Sequence, residues 1–132
     1  MKKTLFGFSL ITCLVLTSRG QSVNPADLIG TWDQNGGKHP PTMIFVDSAR
    51  IAYSYKGHSG TSKKYYYLIN NTNLPTILTV DYRANHRKHR NEYLIQLVDK
   101  DTLKLQVIKK RDARDHFDEE HKDRVFTLVR RK

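Results

Sequence analysis

Apolar and polar positions alternate along most of this chain. Between Arg50 and Tyr55, the residues Ile51, Tyr53 and Tyr55 alternate with Arg50, Ala52 and Ser54. Period two of this kind predicts a half-buried strand. Leu103, Leu105 and Val107 repeat it within residues 102–108. Strands are predicted on this basis over Leu28–Asp33, Thr42–Asp47, Arg50–Tyr55, Lys64–Asn70, Thr76–Tyr82, Glu92–Val98, Thr102–Ile108 and Val125–Arg130. Turn formers separate them: Asn35-Gly36-Gly37 with His39-Pro40-Pro41, Ser48-Ala49, Gly57–Gly60, Asn71–Pro75 and Asp99-Lys100-Asp101. Ala84–Asn91 is polar throughout and reads as a loop. Asn24 followed by Pro25 predicts one helical turn before the first strand, with Asn as cap and Pro at the first helical position. All seven tyrosines fall in the predicted strands, as aromatic β-preference favours.

About eight strands with mostly short connections make an antiparallel meander. Such a meander removes its exposed edges by closing into an up-and-down β-barrel. An open two-sheet sandwich is the competing all-β architecture. Residues 109–124 break the pattern. They are almost wholly charged and of alternating sign, with Phe117 as the one large apolar residue. The segment reads as a short exposed helix, a loop anchored by Phe117, or a lid over the barrel mouth.

The first twenty residues belong to a different class. Lys2 and Lys3 precede an apolar run from Leu5 to Leu16, and small residues at Ser18 and Gly20 follow it. That is the layout of a cleaved secretory signal, with Gln21 as the new N-terminus. The run is short for a membrane span. Cys13 lies inside the run rather than at its end, which argues against lipidation. Cleavage takes Lys2, Lys3 and Arg19 from the 23 basic residues and none from the 13 acids, so the net charge goes from +10 to +7. It also removes the only cysteine. The remaining 21–132 domain then has no disulfide, thiolate metal site or cysteine nucleophile, and holds together by packing. No transmembrane segment is expected after cleavage, and the protein is expected in the periplasm or outside the cell.

Leu28-Ile29-Gly30-Thr31-Trp32 contains the only tryptophan. A Gly two residues before a lone Trp suggests a strand laid closely across one end of a core. With the short turn before it, this stretch resembles the first-strand Gly-x-Trp motif of lipocalins. The chain is similar to short secreted lipocalin-like domains of Gram-negative bacteria. Residues 97–105 and the ending Val125–Arg131 also resemble late strands of such domains. The resemblance implies a barrel fold more than a ligand; a small apolar or amphiphilic ligand is expected from the barrel interior itself. The resemblance also implies a structural pairing of Trp32 with a late arginine, Arg130 or Arg131, beside Gly30. No middle or C-terminal helix matches the lipocalin pattern.

Three constellations carry candidate chemistry. Tyr53, Tyr55, Tyr65, Tyr67 and Tyr93 are candidate interior residues that suit an apolar ligand with a few polar anchors. The same rings also serve simple core packing. Tyr65, Tyr66 and Tyr67 are consecutive, so at least one must face outward. Arg83, Arg87, Lys88 and Arg90 form a basic cluster, with Arg87, Lys88 and Arg90 at its centre, that attracts anions, here an anionic envelope component or a protein partner. A solvated loop is the plainer reading. His86 and His89 lie in the same stretch, but its cations oppose a metal ion, and the surroundings of His116 and His121 are equally mixed in charge. No metal or cofactor is expected, nor a nucleic acid, since no reading motif is present. Neither a phosphate-cradling glycine loop nor a nucleophile elbow occurs. The sequence therefore reads as a binding protein rather than an enzyme, and as a monomer.

Overall fold

The computed structural model describes residues 21–35, 41–55, 58–59, 65–72 and 74–132. The expected signal segment, the Gly36-Gly37 turn, His39 and most of the 56–64 connection lie outside the described residues. A helical turn, α1 (Pro25–Leu28), precedes the strands β1 (Gly30–Gln34), β2 (Thr42–Phe45), β3 (Arg50–Tyr55), β4 (His58–Ser59), β5 (Tyr65–Asn70), β6 (Thr76–Ala84), β7 (Arg87–Asp99), β8 (Thr102–Val107) and β9 (Val125–Arg130). Successive strands pair antiparallel, and β1 pairs with β2 on one side and β9 on the other. β3 bridges β2 to β5. Eight strands thus close into an up-and-down barrel, and β4 pairs only with the end of β3. The ring is continuous, which sets the sandwich alternative aside.

The pleat sends alternate side chains inward. Trp32, Met43, Phe45, Ile51, Tyr67, Leu78, Val80, Ile95, Leu103, Leu105 and Leu128 form the interior core. Val23, just before α1, and Leu28, its last residue, complete it at one end as a plug. Asn24 caps α1 by accepting from the Ala26 amide at 3.0 Å. Asn71 holds the plug in place: its side chain accepts from Val23 N and donates to Val23 O, each at 3.0 Å.

One arginine locks this closed end. The Arg130 guanidinium lies 4.2 Å from the centre of the buried Trp32 ring system. It donates to Ile29 O at 2.7 Å, Asp27 O at 2.6 Å and Lys100 O at 3.0 Å. Trp32 Nε1 donates to Leu28 O at 2.7 Å. Gly30 has φ +135°, and a Cβ there would lie 3.0 Å from Arg130 Nη1. The positive φ calls for glycine, and a Cβ would also crowd the Arg130 guanidinium. Arg131 points the other way and pairs with Asp33 at 2.6 Å.

Several segments depart from expectation. His58 and Ser59, expected in a loop, form the short strand β4 against the end of β3. Leu28 belongs to α1, so the first strand begins at Gly30 rather than Leu28. The stretch 84–91 is not a loop: β6 and β7 run through it to a two-residue turn, with Asn85 at φ 50° and His86 at φ 61°. A turn with both residues left-handed matches the twist of the flanking strands. The hairpin tip has no core to cover, so it lacks the apolar alternation that marks a strand in sequence.

Residues 109–124 contain only a 3₁₀ turn, Lys122–Arg124, as regular structure. They run along the outer wall of the barrel, not over its mouth, so neither the helix nor the lid reading holds. Phe117 is buried against Ile77 and Leu94. These alternate with the inward residues Leu78 and Ile95, so Phe117 packs on the outside. Ion pairs strap the segment down: Arg114 to Glu92 at 2.7 Å, and Lys104 to Glu119. Gln106, itself buried, accepts from the Asp118 amide at 2.7 Å.

Candidate functional site

Away from the plug, the barrel interior turns from aliphatic to phenolic. Four strands deliver the rings. Tyr53 stands on β3, Tyr65 on β5, Tyr82 on β6 and Tyr93 on β7. Register decides this: Tyr65 is opposite Tyr82, and Tyr82 is opposite His89. Tyr53 meets Tyr65 edge-on at 5.1 Å, Tyr65 lies 5.2 Å from Tyr82, and Tyr82 stacks on His89 at 5.1 Å. The series runs from a half-buried interior to the exposed His89 at the rim.

Tyr53 Oη is buried and completes no hydrogen bond within normal geometry among the described residues, although the Tyr93 hydroxyl is near enough to influence it. Burial raises the pKa of Tyr53, and the neighbouring Tyr93 adds to the effect. Burial likewise raises that of Tyr93. Both phenols stay protonated at neutral pH and can donate. An unmatched buried hydroxyl costs about 1–3 kcal/mol, so its persistence calls for a reason.

The five tyrosines expected to line the interior do not form one group. Tyr53, Tyr65 and Tyr93 come together. Tyr67 is inward but belongs to the closed end, where it packs edge-on against Phe45 at 5.1 Å and donates to Asp47 O at 2.6 Å. It is a structural residue there. The Tyr55 side chain lies outside the described residues. Tyr66 faces outward and is half exposed. Tyr82 and His89 are additions. Tyr82 follows from alternation with Leu78 and Val80. His89 follows only once the hairpin is known.

The basic cluster is also divided. Lys88 and Arg90 lie on the outer face of β7, whereas Arg87 shares the inner parity of His89. Arg90 is neutralised by Asp81 through bonds of 2.7 and 2.9 Å, which hold the Asp81 carboxyl below its usual range. Arg83, expected in the same cluster, stands directly opposite Lys88 across the hairpin.

Outside the barrel, the 109–124 segment encloses a cleft of about 530 Å³ lined by Gln106, Phe117, His116 and His121 among others. Its histidines are occupied: His116 pairs with Asp115 at 2.7 Å and His121 with Asp118 at 2.8 Å. Asp118 raises the pKa of His121. Among the described residues no three His, Cys, Asp or Glu side chains are placed to hold a metal ion. No helix among them is long and apolar enough to cross a membrane.

The fold and the interior define a class: an eight-stranded antiparallel barrel, plugged at the tryptophan end and lined with phenols beyond it. Comparison with protein-family models, curated proteins and solved structures finds no match.

Proposed function

We propose that the protein is a lipocalin-like binding module that holds a small amphiphilic ligand against Tyr53, Tyr65, Tyr82 and Tyr93, and acts outside the cytoplasm once residues 1–20 are removed. One observation carries this reading: among the described residues the buried Tyr53 hydroxyl completes no hydrogen bond of normal geometry, although it stands among converging aromatic rings with the Tyr93 hydroxyl close by. A ligand acceptor atom would satisfy it, and the rings would cover the ligand's apolar part. Sites that combine apolar walls with few, well-placed polar groups bind small molecules. The raised pKa values favour hydrogen bonding by neutral phenols over proton transfer, which supports binding rather than catalysis.

Native mass spectrometry of the protein purified without detergent tests the reading. A reproducible extra mass, extractable by organic solvent, is expected. Tyr53→Phe should weaken ligand retention about tenfold, the worth of one hydrogen bond. Its circular dichroism should be unchanged. A bare mass after incubation with mixed lipids, together with a Tyr53→Phe variant more stable than the parent, would mean a filled barrel and no ligand.

A further inference from the structure

On the β8 side, the β6–β7 hairpin outruns its neighbour. β8 makes its last strand pair with β7 at Val107–Tyr93. One more bond follows, from Ile108 N to Glu92 O at 2.9 Å. The chain then turns away, with Asp112 N donating to Lys109 O at 3.0 Å. β7 continues beyond this point through Asn91 to Arg87, still paired to β6 on its other side. In an antiparallel ladder, the groups facing one neighbour recur at every second residue. Glu92 faces β8, so the backbone N–H and C=O groups of Arg90 and Lys88 face the same side. Among the described residues no backbone group meets them there.

This open edge carries positive charge. Arg87, Lys88 and Arg90 are exposed along it, and Lys109, Lys110 and Arg111 are exposed where β8 gives way. Among the described residues Arg87, Lys88, Lys109, Lys110 and Arg111 make no ion pair; Asp81 neutralises only Arg90. Cations on an exposed edge repel a second copy of the same edge, which protects against self-association. They do the reverse for a strand of opposite charge.

We propose that the β7 edge from Arg87 to Asn91 accepts an extended acidic peptide segment of another protein as an added strand, end-on to β8. Backbone groups of Lys88 and Arg90 supply the ladder bonds, and the surrounding cations select for Asp and Glu. Recognition of this kind joins main-chain affinity to side-chain specificity. The ladder groups belong to Lys88 and Arg90 rather than to the pocket tyrosines, so the two proposals fail independently.

The probe is a blocked peptide of about ten residues, a usual upper strand length, with alternating Glu and Thr. Amide exchange measured by NMR on the full chain gives the readout. Saturable binding that slows exchange at the Lys88 and Arg90 amides is expected. Binding should fall about tenfold in an Arg87→Glu, Lys88→Glu variant, since each reversal removes an exposed attraction and adds a repulsion. Replacing alternate peptide residues by proline should abolish binding, because proline lacks the N–H. Unchanged Trp32 fluorescence shows that the variant is folded. The proposal is overturned if the proline peptide binds equally, or if the peptide does not bind. It is overturned too if a sulfated polysaccharide competes fully while the amides stay unprotected, since the edge would then be a plain electrostatic patch.

Discussion

At the scale of single residues, Arg130 holds more of the structure than its surface position implies. Its planar fork joins the carbonyls of Asp27, Ile29 and Lys100 while covering Trp32. Arg130→Met keeps the stem but strands those carbonyls, and urea unfolding should show a loss of about 2 kcal/mol. Arg130→Lys should recover only part of this, because an ammonium cannot span the same acceptors. Gly30 and Trp32 were legible in the sequence because their spacing is local. Arg130 and Arg131 were both candidates for the ring, yet parity separates them: Arg130 shares the inward face of Leu128, and Arg131 does not. The carbonyl clamp was not legible, because backbone acceptors leave no mark in a sequence.

At the scale of elements, the outer strap and the projecting hairpin explain the two stretches that alternation misread. Both lie outside the core, where charge no longer reports burial. Phe117 was legible as the strap's anchor, being its one large apolar residue. Its site was not, since Ile77 and Leu94 looked like ordinary strand residues. Phe117→Ala should free the strap while leaving the barrel closed. Limited proteolysis should then cut within 109–121 much faster than in the parent, while the far-ultraviolet spectrum is unchanged. A stability loss of about 2–3 kcal/mol is expected, below the usual core value because the site is on the wall. Equal proteolysis of both proteins would show that the ion pairs alone hold the segment.

At the scale of the whole molecule, the number and order of the barrel strands followed from the pattern of apolar residues, and their bounds did so to within two residues except at β7, which starts five residues before the expected Glu92. β3 and β9 match their predicted spans, as strands with one buried face should. Ring closure and the grouping of tyrosines needed register, which no single strand encodes. The phenols also set the response of the fold to alkali. Tyr53 and Tyr93 have pKa values raised above the ordinary 10.0. On unfolding they revert and release protons more readily, so the stability they support is full below about pH 10 and lost as pH rises toward the native values. Chemical unfolding at pH 8 and at about pH 10.5 should show the decline. In Tyr53→Phe it should be smaller.

The pairing of β1 with β9 has a further consequence, in time rather than in space. A ribosome makes Trp32 long before it makes Arg130, and between those events the seam has one side only. Residues 30–34 wait with an unpaired edge while almost the whole chain is still to come. Helical proteins can settle locally during synthesis; this one must hold its first strand in reserve until its last has emerged. A chain halted before Val125 would expose two strand edges at once, on β1 and β8, and should be recovered as aggregate rather than as a smaller barrel.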